Sequence, residues 1–399
     1  MNTKLNGQKS IKLILHPGHG KCGSTSIQVF LHSNVDQLKT KRIYLPDSSF
    51  RFSFETEPKA EELPFKTPKM KMYGWPIYYF RDFLQNKKPL SLFEERIKKI
   101  LEDAQKSDCE AIIISAENLV NIDKNNGTGG KIHKILSSYF SDVIVLYYIR
   151  RQDDYLISSW QQWAHKKGKK IQEYILECLN SHEPQFFKIA KFFEDIYGTN
   201  NVQVVPLNKE VLIEGDLIKD FCHRTQININ IETPSKYYSN PSVNPYVCDI
   251  LSRTPNVFLY HLNDNFPRFA PENDEIKMLL NKYVTTKDLL WSNDKTILND
   301  EMKEMVMKHF EEENRQLHQT YFNYVPYEKV FGVQKLANSQ KSLEHEIDKL
   351  KDVMALQMEI ILNLLIEKEE KKQKEKNRFQ NKLKGKLSKI IKPIKKMFH

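Results

Sequence analysis

Three short stretches of this chain are predominantly apolar: residues 11–16 (IKLILH), 111–115 (AIIIS) and 143–149 (VIVLYYI). None shows the polar alternation of a strand with one wet face. A strand that is apolar on both faces must be covered on both, as in the parallel sheet of an α/β domain. Segments of helical spacing lie between and after these runs, at 24–33, 92–105, 130–140, 153–165 and 184–196, and 201–206 (NVQVVP) reads as a fourth strand. This alternation predicts an α/β fold.

Other regions interrupt the pattern. Residues 47–90 form a long aromatic-rich insertion with Trp75, Tyr78, Tyr79 and Phe80, and 230–270 are loop-like, with Pro234, Pro241, Pro245, Pro255 and Pro267. Long loops in such a domain are expected to rim a functional site. Residues 301–321 read as a closing helix and 325–333 as a linker. Beyond them Leu343, Ile347, Leu350, Met354, Gln357, Ile361 and Leu364 step by four and three, the seam of a coiled coil. A single amphipathic helix packed on the body fits the same spacing. The chain thus divides into a body at 1–330, a coiled-coil helix at 340–370 and a tail at 371–399.

Charge sharpens the division. The formal net charge is +10, yet the tail alone carries twelve lysines or arginines against the single acid Glu375, which leaves the body close to neutral. A body without a basic surface is not expected to bind nucleic acid. No apolar run reaches spanning length, and the polar start lacks the apolar stretch of a secretory signal. Five scattered cysteines form neither a CxxC pair nor a disulfide pattern, so no metal and a cytoplasmic location are expected.

Between the first strand and the first helix lies His16-Pro17-Gly18-His19-Gly20-Lys21-Cys22-Gly23-Ser24-Thr25-Ser26-Ile27-Gln28. Glycines admit an anion close to the backbone, and a helix N-terminus offers N–H groups and a favourable dipole. Ser24, Thr25 and Ser26 add hydroxyls, and Lys21 adds a full charge. The nucleotide-triphosphate loop GxxxxGK[ST] has its lysine after the second glycine. Here Ser24 stands in that place and the lysine precedes Gly23, which points to a different phosphate ligand. A second cluster follows the 143–149 strand: Arg150, Arg151, Gln152, Asp153 and Asp154, with Ser158 eight residues after Arg150. An arginine at a strand's carboxyl end and a serine on the next helix can share a terminal phosphate. Arg151 is better suited to pair with Asp153 or Asp154.

The two motifs, in this order, resemble those of the sulfotransferases that use 3′-phosphoadenosine-5′-phosphosulfate, and the Gln28 helix resembles the bacterial carbohydrate-sulfating branch. The resemblance covers roughly residues 10–325. It implies a P-loop-like parallel β-sheet flanked by helices, followed here by the coiled-coil extension. It also implies that Lys21, Cys22, Gly23, Ser24, Thr25 and Ser26 hold the 5′-phosphosulfate, and that Arg150 and Ser158 hold the 3′-phosphate. Cys22 departs from the usual Thr at the loss of one hydroxyl, its backbone donor being expected to remain. Tyr238-Ser239-Asn240-Pro241-Ser242 is similar to the late loop that closes over the cofactor, with Asn240 and Ser242 as contacts and Lys236 as a nearby cation.

Sulfuryl transfer needs in-line geometry, neutralisation of the leaving group and a base for the acceptor hydroxyl. Lys21 suits the second role. Glu117, following the 111–115 strand, is the candidate base, with His16 and His19 as rivals; His19 is expected to be exposed. The expected acceptor is a glycan or glycolipid. Residues 384–398 (KGKLSKIIKPIKKMF) interleave lysines with Leu387, Ile390, Ile391 and Ile394, a pattern suited to an anionic membrane surface. A homo-oligomer, assembled through the coiled coil and peripheral at the inner face of a membrane, is the expected state. Two other readings remain open: a nucleotide or nucleoside kinase with a variant phosphate loop, and a non-catalytic membrane scaffold.

Overall fold

The computed structural model describes residues 10–51, 76–230, 242–254, 297–332 and 365–375, and positions 277, 291, 347, 354, 358, 361, 362 and 378. The chain forms two compact units. One comprises Met1–Ser159, Ile175–Pro241 and Leu298–Lys335; the other comprises Trp160–Tyr174, Ser242–Ile297 and Leu336–His399.

The first unit holds a five-stranded sheet. Its elements run β1 (Lys12–His16), α1 (Ser24–Ser33), α2 (Val35–Thr40), β2 (Ile43–Tyr44), α3 (Ile77–Leu84), α4 (Leu90–Lys106), β3 (Ala111–Ser115), α5 (Lys124–Tyr139), β4 (Asp142–Ile149) and α6 (Gln152–Ser159). After α7 (Ile171–Asn180), which begins in the other unit, come α8 (Phe186–Tyr197), β5 (Val202–Pro206) and α9 (Leu217–Thr225). The strands lie in the order β2-β3-β1-β4-β5, and every pairing is parallel. The three predominantly apolar runs are therefore the three central strands, where both faces are largely dry.

Adjacent residues of β4 show how each face is covered. Tyr147 packs on Phe186 and Phe193 of α8. Tyr148 points the opposite way and donates a 2.7 Å hydrogen bond to Asp220 of α9. Alternation along the strand thus commits one tyrosine to each helical layer. Asp216 starts α9 by accepting from the N–H groups of Ile218 and Lys219, a standard N-cap.

Several sequence expectations are corrected. The 47–90 insertion contains a helix, α3, whose Phe80 and Phe83 are buried. The proline-rich 230–270 region contains α10 (Pro245–Ser252), which Asn244 caps and Pro245 opens. Proline suits the first helical position because its missing N–H has no partner there anyway. The closing helix breaks at Phe310 into α11 (Asp300–His309) and α12 (Glu311–Tyr321). The expected linker holds α13 (Tyr327–Phe331), with Val330 and Phe331 buried. Residues 160–164 form a π-helical turn rather than a continuation of α6.

In the second unit, Leu251 of α10 packs on Leu362, with Val243, Val247, Trp291, Met358, Leu365 and Ile366 around them. Ile347, Met354 and Ile361 are helical and exposed. Leu343, Leu350, Gln357 and Leu364 of the seam, and the tail beyond 378, lie outside the described residues. No helix among the described residues is long and apolar enough to cross a membrane.

Three imidazoles of the first unit are fully buried. His133 accepts from Tyr197 through Nδ1 at 2.9 Å and donates through Nε2 to the Leu119 carbonyl at 2.8 Å. Burial lowers His133 and His19 to about 4 and His16 to about 3. Free histidine titrates near 6.5, so between that pH and 4 the unfolded chain binds more protons than the folded one. Glu313, raised by burial to about 7, acts in the opposite sense and offsets about one imidazole. Stability is therefore expected to be level between about pH 7 and 8 and to fall as pH drops from 6.5 toward 4, at roughly 1.4 kcal/mol per pH unit for each uncompensated imidazole. Urea unfolding from pH 7.5 to 4.5 checks this, and His133→Gln should flatten the slope.

Candidate functional site

Because the sheet is parallel and β1 lies between β3 and β4, three strands end side by side. Each releases its chain at the same edge. In open α/β sheets this edge is where ligands sit, between strands whose connections diverge. From β1, whose connection runs toward β2, and β4, whose connection runs toward β5, come the glycine-rich loop and Arg150.

The loop is held in an unusual conformation. Lys21 has φ +67° and Gly23 φ +83°. The left-handed region costs a non-glycine residue about 1 kcal/mol or more, and such strain persists only where neighbours enforce it. At Gly23 a side chain is excluded twice over, by the backbone and because a Cβ would meet Leu217 Cδ2 of α9 at 2.4 Å. The Gly23 carbonyl accepts from Ser26 N (3.1 Å) and Ile27 N (3.3 Å). No side chain caps the first turn of α1, so the positive end of the helix dipole faces the loop. Thr25 and Ser26 are half-buried on that turn.

Arg150 joins the second motif to the first. Its Nη1 donates to Ser158 Oγ at 2.9 Å and to the Lys21 carbonyl at 3.2 Å. Lys21 and Ser158, far apart in the chain, thus share one guanidinium nitrogen. Arg151 is committed elsewhere. It makes a two-pronged pair with Asp153 at 2.7 and 3.0 Å and donates to the Gly332 carbonyl at 2.7 Å.

Glu117 arrives from β3. The Ala116 N–H donates to the His16 carbonyl at 3.1 Å, which extends the ladder by one step and delivers Glu117 beside the loop. Its Oε1 accepts a short hydrogen bond from Ser24 Oγ, and Oε2 lies 3.8 Å from the point where a Gly20 side chain would begin. Lys21, Arg150 and Glu117 all surround Cys22. Burial pushes that thiol up to about 12, with Arg150 opposing, Glu117 reinforcing and Lys21 opposing.

Two site expectations change. Cys22 is fully buried, and its N–H donates to the His19 carbonyl at 3.1 Å; it closes the turn from beneath, so the backbone donor expected of it is already engaged. His19 is buried rather than exposed, with Nδ1 3.1 Å from the Tyr147 hydroxyl and its ring edge-on to Tyr155 and Phe186. Both His16 and His19 are held neutral by burial, and each has its Nδ1 within hydrogen-bond distance of a hydroxyl, that of Ser115 and that of Tyr147 respectively. Asn240 and Lys236 lie outside the described residues, and Ser242 belongs to the second unit. Sequence reasoning missed Ser115, whose Oγ is 2.8 Å from His16 Nδ1, and Tyr147; a polar residue closing an apolar run was the available signal for Ser115. Among the described residues no group of three or more histidine, cysteine, aspartate or glutamate side chains is arranged to hold a metal.

No family model matches the chain, and no curated protein does. Among solved structures, a sulfotransferase from Alicyclobacillus acidocaldarius is similar over 62% of this chain and 93% of its own, with 14% identity and a TM-score of 0.33. So slight a likeness carries no functional argument.

The loop geometry separates two glycines that share a positive φ. Gly127 (φ +75°) has nothing within 4 Å of a built Cβ. Gly127→Ala is expected to cost about 1–2 kcal/mol from backbone strain alone. Gly23→Ala adds the Leu217 clash and is expected to cost about 1–3 kcal/mol more. Chemical denaturation of both variants measures the difference.

Proposed function

We propose that this chain transfers a sulfuryl group from 3′-phosphoadenosine-5′-phosphosulfate to a hydroxyl of a glycan or glycolipid precursor. The observation that carries the reading is the Arg150 bridge, which brings an arginine–serine pair suited to a terminal phosphate against the loop suited to a 5′-phosphosulfate. A nucleotide with anionic groups at both ends of one ribose would engage both. The co-substrate supplies an activated sulfuryl group on a phosphate leaving group. The uncapped first turn of α1 and the hydroxyls of Thr25 and Ser26 suit the 5′ end, and Lys21 supplies the cation that offsets charge on the leaving oxygen.

Glu117 fits the remaining role. A carboxylate beside an anion-binding loop repels the anion, so its work lies with the acceptor. It takes the hydroxyl proton as the acceptor oxygen bonds to sulfur and the bond from sulfur to the phosphate oxygen breaks. Ser24 fixes that carboxylate by donating to Oε1. Glu117 is partly exposed beside the loop while both histidines are buried, so Glu117 is the base in this reading.

The exposed Ile347, Met354 and Ile361 recur every seven residues. This spacing favours pairing with the same helix of a second copy. The lysine-rich tail suits an anionic membrane surface, at on the order of 1 kcal/mol per charge. The protein is then a peripheral enzyme at the inner face of a membrane.

Calorimetry tests the reading directly. Adenosine 3′,5′-bisphosphate is expected to bind and ATP to bind weakly or not at all; the reverse order favours the kinase reading. Arg150→Ala is expected to weaken bisphosphate binding about tenfold to a hundredfold. Glu117→Gln should leave binding intact and lower the rate of radiolabelled sulfate transfer to a polysaccharide extract by about a hundredfold or more. Lys21→Ala should lower that rate on the same scale. Removing residues 371–399 is expected to abolish low-salt cosedimentation with phosphatidylserine vesicles while bisphosphate binding persists.

A further inference from the structure

Polar groups around the loop are paired almost throughout: His19 with Tyr147, Glu117 with Ser24, Arg150 with Ser158. Two groups are not. Nε2 of His16 is buried without a hydrogen-bond partner, and so are both amide atoms of Gln28. His16 is 0% exposed and Gln28 1%. A buried polar atom without a partner costs about as much as a lost hydrogen bond, so two beside one loop point to a partner outside the polypeptide.

His16 is aimed at the loop. It is the last residue of β1, in register with Ser115, and its Nδ1 is 2.8 Å from Ser115 Oγ. Edge contacts with Tyr148 and Phe221, at centroid separations of 5.9 and 6.0 Å, fix the ring plane. The opposite edge meets Gly18. A Cβ built there would lie 3.0 Å from His16 Cε1 and 3.3 Å from Nε2, and 3.0 Å from Ser24 Cβ. Nε2 therefore faces the inner side of the loop where α1 begins. Gln28 lies one turn further along α1 on the same face as Ser24, and helical side chains lean toward the N-terminus.

We infer that His16 is a positioning residue that donates a hydrogen bond from Nε2–H, beneath Gly18, to the anionic group seated in the loop. This rests on the loop holding the 5′ end of the nucleotide, as proposed above. The Ser115 hydroxyl sets the tautomer: by donating to Nδ1 it places the ring proton on Nε2. Burial keeps the imidazole neutral, so it offers a donor without adding charge and without competing with Glu117 for the acceptor's proton. Gln28 can turn its amide N–H toward the same group.

Long-range proton–nitrogen NMR of protein labelled with 15N-histidine, with His16 assigned by loss of its signal in His16→Gln, tests the role in the wild-type chain. The Nε2-protonated tautomer is expected from pH 6 to 8. Adenosine 3′,5′-bisphosphate should move the Nε2 resonance, and adenosine 3′-monophosphate, which lacks the 5′ group, should not. His16→Phe should weaken bisphosphate binding about tenfold to a hundredfold, with His16→Gln keeping part of the affinity. Bisphosphate that binds calorimetrically but leaves the His16 resonance unmoved would overturn the inference and spare the proposed function, His16 being then satisfied by an internal water. A wild-type protein that binds no bisphosphate overturns both.

Discussion

Nη1 of Arg150 touches the Lys21 carbonyl and Ser158 Oγ at once, and the site depends on that shared contact. A guanidinium cannot be deprotonated and its donors are fixed in a plane, so it imposes both distance and direction. By holding the Lys21 carbonyl it also restrains the residue whose left-handed backbone shapes the loop. The register of β4 on β1 comes first in this chain of causes. Val145 opposite Leu15 sets where β4 ends relative to the loop, and a slip of one residue would turn Tyr147 and Tyr148 to the wrong layers.

The same edge of the sheet mixes opposite charges. Lys21 and Arg150 come from β1 and β4, and Glu117 comes from β3, on the other side of β1. The carboxylate thus approaches from the flank away from Arg150. This separation suits the proposed transfer, in which negative charge grows on a leaving group while a proton leaves the attacking hydroxyl. Two histidines also stand at the loop. Burial of His16 against Tyr148 and Phe221, and of His19 against Tyr147, Tyr155 and Phe186, keeps both rings neutral.

The central sheet was legible because strands dry on both faces have a compositional mark that survives without tertiary knowledge. The glycine-rich loop and the arginine cluster were legible because glycines, a lysine and an arginine stood at strand ends, which the parallel sheet brings to one edge. The rest was hidden for physical reasons. α9 carries polar residues at Lys219, Asp220, His223 and Arg224, yet Asp220 is buried because Tyr148 and Arg224 satisfy it; a partnered charge looks solvent-facing in sequence. α10 opens with proline, which reads as loop until its place after the Asn244 cap is seen. His19 stood in a glycine-rich turn and was expected outside, but the Tyr147 hydroxyl and two further rings draw it inward.

The burial of Cys22 follows from the same geometry. A loop whose lysine turns left-handed before a glycine must place the residue between them beneath the turn, against the core. There a hydroxyl would be buried beside β4 and would need its own acceptor, whereas a thiol behaves as a small apolar group. The Cys22 N–H closes the turn on His19, which in turn anchors to Tyr147 of β4. Thus one flank of the loop is tied to β4 through His19 and Arg150, while Ser24 ties its other flank, through Glu117, to β3. A loop tied on both sides has its backbone donors held in place, which would lower the ordering cost of the anion binding proposed for it.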